Sequence, residues 1–168
     1  MLAVVGLFSL VFHGLFDLTP IVSNSMAPTL RGDGAAGSDL LLAEKLSYRL
    51  RRPARWEIIQ FRNKDGNWVA KRIVGLPGET IAMRERDVLI NGQVIKPPAS
   101  LAFLRYYAFG SLSNGRSVEC KDGYFVLGDD SRDSCDSRYE GVVRPDEIRG
   151  RAWLIVRPLS RLGFVNPP

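Results

Sequence analysis

The strongest fold signal is the stretch DVLINGQVI, residues 87–95. Its centre, Asn91-Gly92, separates two short apolar runs, Leu89-Ile90 and Val94-Ile95. A two-residue type I′ turn needs two residues that tolerate positive φ, and Asn followed by Gly meets that need. The stretch therefore predicts a β-hairpin.

On both sides of this hairpin, short apolar runs alternate with Gly and Pro. Such runs are typical of β-strands when turn formers bound them. After residue 20, no segment keeps a helical period for long. We therefore expect a mostly β fold, an antiparallel sheet or partly open barrel, with residues 96–119 as a loop-rich insertion. The predicted strands cover residues 40–43, 56–61, 68–74, 80–83, 87–90, 124–127 and 152–156.

The first 18 residues are nearly all apolar, interrupted by His13 and Asp17. A helix of that length rises about 27 Å, close to the roughly 30 Å of a bilayer core. A cleaved secretory signal is disfavoured because residues 1–6 lack Lys and Arg and no small-residue cut site follows. A buried core helix is the remaining alternative. We expect residues 1–18 to form a transmembrane anchor that ends before Pro20, and residues 19–168 to form the β-rich domain.

The composition of the 168 residues is that of an ordinary globular domain, with a formal net charge of +5. A basic excess suits either nucleic acid or an anionic membrane surface. No zinc-finger spacing or RNA-binding aromatic signature occurs, so we expect a lipid bilayer and no nucleic acid as partner. Basic residues crowd residues 45–55, which is consistent with a solvated loop or with a contact to lipid headgroups.

The chain contains a single histidine, His13, which lies inside the predicted anchor. This excludes a Ser-His-Asp triad in the remaining domain and argues against a histidine-based zinc site, so we expect no metal and no cofactor. An acyl-transfer enzyme could still use a lysine base, because burial lowers the pKa of an amine. Cys120 and Cys135 fit either a disulfide or two buried thiols.

Three segments carry the candidate chemistry. Ser25 lies in SNSMAPTL, residues 23–30, for which the alternative is a polar turn. Lys71 lies in AKRIVGLPGE, residues 70–79, where an edge-strand lysine is the alternative. The third segment, GDDSRDSCDSRYEG, covers residues 128–141 and could also be an exposed acidic loop or a calcium site. Its interspersed arginines argue against a cation.

In this order the three segments resemble the signature boxes of the bacterial type I signal peptidases, a serine–lysine dyad family. The likeness covers about residues 18–165. The resemblance implies that Ser25 is the nucleophile and Lys71 the general base. It also implies an oxyanion hole made by the Ser23 hydroxyl and the Ser25 backbone N–H.

The resemblance implies supporting residues as well. By position, Ser134 matches a serine that orients the lysine, and Asp136 and Arg138 match a supporting ion pair. Ile21 and Ala70 match residues that line the substrate pocket. The chain departs from the family where Asp130 and Ser131 replace the usual Asn-Arg, and where Val22 replaces a common proline.

The function that the resemblance implies is a membrane-bound serine endopeptidase that removes N-terminal signal peptides from exported preproteins. The expected place is the bacterial inner membrane, with a single span and the catalytic domain on the extracytoplasmic face. Alternatives within the family are a pilin-maturing or an organelle inner-membrane peptidase. A non-catalytic membrane-anchored binding scaffold is the alternative of another class.

Overall fold

The chain folds mainly into short antiparallel strands. The computed structural model describes residues 12–32, 34 and 37–165. Besides the helical residues 12–15, the α-helices in that part of the chain are short, α1 (Ser47–Leu50) and α2 (Ser137–Glu140), and a few 3-10 turns occur. The strands are β1 (Phe16–Pro20), β2 (Leu40–Glu44), β3 (Ile58–Arg62), β4 (Trp68–Gly75), β5 (Thr80–Arg84), β6 (Asp87–Ile90), β7 (Gln93–Ile95), β8 (Ser117–Glu119), β9 (Phe125–Leu127), β10 (Ile148–Arg157) and β11 (Gly163–Phe164). The prediction of a mostly β, antiparallel fold is confirmed.

The larger sheet has the strand order β1-β2-β10-β3-β4-β9, with β11 paired to β10. Strands β1 and β3 are three places apart, which is about 14 Å in a flat sheet. The Gln60 side chain on β3 nevertheless donates a hydrogen bond to Thr19 Oγ1 on β1, at 2.5 Å. The sheet is therefore strongly curled. Among the described strands no pairing joins β1 to β9, so the sheet is open and not a closed barrel.

The smaller sheet has the order β7-β6-β5-β8 and contains the predicted hairpin. Its turn residues, Asn91 and Gly92, have φ values of 50° and 80°. Positive φ at both positions is what a type I′ turn requires, so the prediction from residues 87–95 is confirmed.

Residues 96–119 pack into the core of the smaller sheet. Leu101, Leu104, Tyr106 and Leu112 are buried there, within one hydrophobic cluster. The segment is mostly irregular, as expected from its sequence, but its last three residues form β8 and pair with β5. It therefore covers one face of the smaller sheet.

Most of the predicted transmembrane anchor, residues 1–18, lies outside the residues that the structure describes. Residues 1–11 are not described, and residues 12–15 are helical. Phe16–Pro20 forms β1 and pairs with β2, so the expected helix does not extend to residue 18. The physical reason is that these residues satisfy their backbone hydrogen bonds in the sheet. Within residues 12–32, 34 and 37–165, no helix has the length and apolar character needed to cross a bilayer.

The two cysteines are not joined in a disulfide. Cys120 is buried and free, whereas Cys135 is exposed and free. The alternative of two buried thiols therefore holds for Cys120 only. Burial raises the pKa of the Cys120 thiol to about 11, so this thiol stays protonated at neutral pH.

Candidate active site

Ser25 lies in a tight turn that follows β1. The turn is closed by backbone hydrogen bonds from Ala27 N to Asn24 O, at 2.8 Å, and from Leu30 N to Met26 O, at 2.9 Å. Met26 and Leu30 are fully buried in the core of the larger sheet. Because the residues that follow Ser25 are held in this core, the backbone that carries the Ser25 hydroxyl is held in place.

Lys71 lies in the middle of β4, and its amine reaches Ser25. Lys71 Nζ donates a hydrogen bond to Ser25 Oγ at 2.7 Å, across 46 residues of sequence. Only 4% of Lys71 and 8% of Ser25 are exposed. The structure thus brings together the two residues that the sequence singled out.

Burial of the amine lowers the pKa of Lys71, because desolvation disfavours the charged ammonium. The nearby charges of Asp136, Glu140 and Asp129 act in the opposite direction but do not cancel the effect. A lysine with a lowered pKa can lose its proton and accept one from a neighbouring hydroxyl. This arrangement has the chemistry of a nucleophile and its general base.

Ser23 lies beside this pair. Its Oγ is 3.2 Å from Ser25 Oγ, and the two hydroxyls are hydrogen-bonded. The side chain of Ser23 is exposed, so it borders the open side of the site. A hydroxyl at this position can donate a hydrogen bond to an oxygen that develops negative charge next to Ser25.

The third segment packs directly against the Ser25 turn. Asp130 N donates a hydrogen bond to Ser25 O at 3.1 Å. A Cβ at Gly128 would lie 2.2 Å from Ser134 Oγ and 2.5 Å from Ser25 O, so only glycine fits there. The Ser134 hydroxyl is buried beside Gly128 and has no hydrogen-bond partner among the described residues, Lys71 included.

Asp136 and Arg138 form a fully buried, bidentate ion pair. Arg138 Nε and Nη2 donate to the two Asp136 oxygens at 2.8 and 2.7 Å. Asp136 also accepts a hydrogen bond from Gly128 N at 3.0 Å. The pair therefore fixes the backbone of the glycine that contacts Ser25.

Asp130 and Ser131, which differ from the usual residues of the family, fit around the buried Asp136–Arg138 pair. Ser131 is buried, and its Oγ accepts hydrogen bonds from Arg138 Nη1, at 2.9 Å, and from Tyr107 N, at 3.0 Å. The Asp130 carboxylate instead lies near the surface and accepts a hydrogen bond from Arg132 N. The extra negative charge of Asp130 thus stays outside the buried network.

Sequence reasoning missed a second buried ion pair, which joins Arg72 to Asp129. Arg72 Nε and Nη2 donate to the two carboxylate oxygens at 2.8 and 2.6 Å, and both side chains are 0% exposed. Thr29, from the Ser25 turn, also donates to Asp129. The available signal was an arginine within an apolar strand, which needs a carboxylate partner when buried.

A small cavity of about 50 Å³ opens beside Ser25 and Lys71. Ile21 and Ala70, both singled out from the sequence, line it. Apart from Ser25 and Lys71, most of the wall is apolar. The remaining lining residues are Thr19, Pro20, Val22, Ser23, Met26, Leu41, Gln60, Trp68 and Val69.

The chain is similar in sequence to several known proteins. The chain is 35% identical over 159 residues to the probable signal peptidase I-2 of Synechocystis sp., covering 87% of this chain and 65% of that protein. It is 35% identical over 163 residues to the signal peptidase I of Leptolyngbya laminosa, covering 88% and 72%. Among solved structures, a signal peptidase I from Enterococcus faecalis V583 matches at 33% identity and a TM-score of 0.49, covering 60% of this chain and 97% of that one.

The model of one protein family, described as signal peptidase, peptidase S26, matches residues 1–157. This match covers most of the chain and defines its class, a family of peptidases. The chain belongs to the signal peptidase family, peptidase S26. The likeness to type I signal peptidases, stated from the three segments, is thereby confirmed.

Proposed function

We propose that this chain is a membrane-bound serine endopeptidase that removes N-terminal signal peptides from exported preproteins. The observation that carries the proposal is the buried 2.7 Å hydrogen bond between Lys71 Nζ and Ser25 Oγ. Membership of the peptidase S26 family supports the reaction class, and relatives named signal peptidase I support the substrate class.

The reaction begins when neutral Lys71 takes the proton of the Ser25 hydroxyl as that oxygen attacks the scissile carbonyl carbon. The Ser25 backbone N–H and the Ser23 hydroxyl stabilise the oxyanion, each by about 3 kcal/mol. Lys71 then protonates the leaving amine. A water activated by the same lysine hydrolyses the acyl-enzyme and frees Ser25.

Three residues of the third segment support Lys71 in this proposal. Ser134 Oγ is buried and has no hydrogen-bond partner among the described residues, and we assign it to orient the lysine amine during the reaction. Asp136 and Arg138 hold the segment in place through their buried ion pair. Their function is positioning, because neither touches the reacting atoms.

The substrate binds in an extended conformation between the backbone of residues 20–23 and that of residues 68–70. Small side chains, one and three residues before the cut, fit shallow pockets lined by Ile21 and Ala70. The cavity volume of about 50 Å³ supports this selection, because it leaves no room for a large side chain.

The lipid bilayer is the second proposed partner, with a single N-terminal span and the β domain on the extracytoplasmic face. A row of aromatic rings supports the contact with the bilayer. Phe16 and Trp153 stack at 5.7 Å, Trp153 and Phe164 lie 5.7 Å apart, and Phe164 is 65% exposed. Tryptophan and tyrosine are enriched at membrane–water interfaces, and Trp153 contacts both phenylalanines of this row.

The test is incubation of the detergent-solubilised protein with a labelled preprotein, followed by mapping of the cut. We expect cleavage at the end of the signal peptide, and a loss of at least about 10³-fold in Ser25→Ala and in Lys71→Ala. Ser100→Ala and Lys64→Ala, at exposed positions, are the matched controls and should cleave normally. Full activity in either dyad variant, or a cut elsewhere in the preprotein, would contradict the proposal.

A further inference from the structure

The side-chain amide of Gln60 is buried, and one of its two polar ends has no hydrogen-bond partner among the described residues. The side chain is 1% exposed and lies on β3. One end of its amide is hydrogen-bonded to Thr19 Oγ1 at 2.5 Å. The other end, Oε1, has no hydrogen-bond partner in residues 12–32, 34 and 37–165. Buried polar groups are usually paired, so an unpaired one in a native interior requires an explanation.

The position of Gln60 supplies that explanation. Gln60 and its partner Thr19 line the same small cavity as Ser25 and Lys71. Across the strand pair, Gln60 is directly opposite Ala70, which is assigned above to the substrate pocket. The unpaired amide therefore belongs to a residue of the wall that receives a substrate side chain.

A serine side chain suits this wall better than an alanine side chain. The free end of the Gln60 amide is closed off from the cavity in this structure, so the side chain must shift slightly to meet a bound hydroxyl. A hydroxyl both donates and accepts, so it can then pair with that end whether it is the oxygen or the nitrogen. The methyl group of alanine can pair with neither and leaves the amide unpaired. The cavity volume of about 50 Å³ has room for a hydroxymethyl group but not for a long polar side chain.

We propose that Gln60 is a specificity-determining residue, which makes this cavity favour serine over alanine in the substrate side chain that enters it. The inference rests on the proposed function and deepens it, because it concerns which small residue is preferred near the cut. Replacement of Gln60 by an apolar residue of similar shape removes the preference, since serine then buries an unpaired hydroxyl.

The experiment compares kcat/KM for three preprotein-derived substrates. One has alanine both one and three residues before the cut, and the other two carry a single serine at one of these positions. For the wild-type protein we expect serine to be favoured by about threefold to tenfold at one position. In Gln60→Met the serine-to-alanine ratio at that position should fall to 1 or below, while the ratio at the other position stays unchanged.

The readout is a ratio within one protein, so it does not depend on the fraction of each variant that is folded. Gln60→Val is the second variant and keeps a residue that suits a strand, in case Gln60→Met fails to fold. An equal ratio in wild type and variant, or no serine preference in wild type, overturns the inference and leaves the proposed function intact. Absence of cleavage of all three substrates by the wild type overturns the proposed function itself.

Discussion

At the scale of the residue, burial of Lys71 suits its proposed function as general base and costs stability. Its amine is removed from water and donates a hydrogen bond to Ser25. Burial lowers its pKa, so the neutral form needed for proton transfer is populated at a lower pH than in a free lysine. The same shift means that the folded protein holds this proton less tightly than the unfolded chain does.

Lys71→Met should therefore raise the melting temperature near neutral pH while it abolishes activity. Between the lowered pKa and the ordinary lysine value of 10.5, the unfolded chain binds more protons, so stability rises with pH. The penalty is complete below the lowered pKa and disappears above 10.5. Thermal unfolding of both proteins over a pH series measures the difference, which should shrink as the pH approaches 10.5.

The control for this prediction is Lys64→Met, at an exposed position, which should leave the melting temperature close to that of the wild type. A Lys71→Met protein that is less stable than wild type at every pH would show that the amine is not under a desolvation penalty. A difference that does not change with pH would show the same.

At the scale of the element, the pair Arg72–Asp129 joins β4 to the third segment. Both side chains are 0% exposed, and the hydrogen bonds are bidentate. Lys71 precedes Arg72 on the same strand, so this ion pair fixes the strand that carries the proposed base relative to the loop beside Ser25. Removal of one partner leaves a buried charge without compensation.

Asp129→Ala should lower the free energy of unfolding by about 3–5 kcal/mol, because Arg72 remains charged in the interior. Urea titration measures the change. Asp146→Ala is the matched control, since it removes the carboxylate of the exposed Arg144–Asp146 pair and should unfold nearly as the wild type does. Equal effects of the two substitutions would contradict a structural role for the buried pair.

Most of the elements followed from sequence, because short apolar runs with turn residues at both ends specify strands locally. β1 was missed because the apolar run of residues 1–18 continues across a boundary between helix and strand, and polarity does not mark that boundary. Trp56 was expected in β3, but its φ of 72° lies outside the strand region, and the strand begins at Ile58.

Ser25 and Lys71 could be singled out from the sequence because each lies in a short segment that resembles a signature box of the family, and their roles are part of the proposal. The Arg72–Asp129 pair joins residues 57 positions apart, so no local pattern specifies it. The unpaired amide of Gln60 is likewise a property of the curled sheet, which brings β3 to β1. Such contacts depend on tertiary structure.

At the scale of the whole molecule, several basic residues of the stretch 45–55 form ion pairs with acidic residues of the same chain. Lys45 pairs with Asp17, Arg51 with Glu57, and Arg55 with Glu79, at 2.5 to 2.8 Å. These pairs neutralise part of the charge that could contact lipid headgroups. The aromatic row of Phe16, Trp153 and Phe164 is therefore the stronger candidate for contact with the bilayer.

Trp153 should report on that contact. The chain has three tryptophans, and Trp56 is only 8% exposed. When the protein is reconstituted into vesicles that contain brominated lipid, we expect quenching of tryptophan fluorescence, most of which is lost in Trp153→Phe. Trp68→Phe, on the wall of the cavity, is the comparison variant. Quenching that is unchanged in Trp153→Phe would place the aromatic row away from the bilayer.

The whole proposal depends on Ser25 being a nucleophile that the neutral amine of Lys71 activates. The most direct measurement is the rate at which a serine-directed acylating inhibitor labels the protein, over a pH series, with the labelled residue mapped by mass spectrometry. We expect a label on Ser25, a rate that rises with pH through the lowered pKa of Lys71, and loss of labelling in Lys71→Met. Equally fast labelling of Ser25 in Lys71→Met, or a rate that does not depend on pH from acid to neutral conditions, would contradict it.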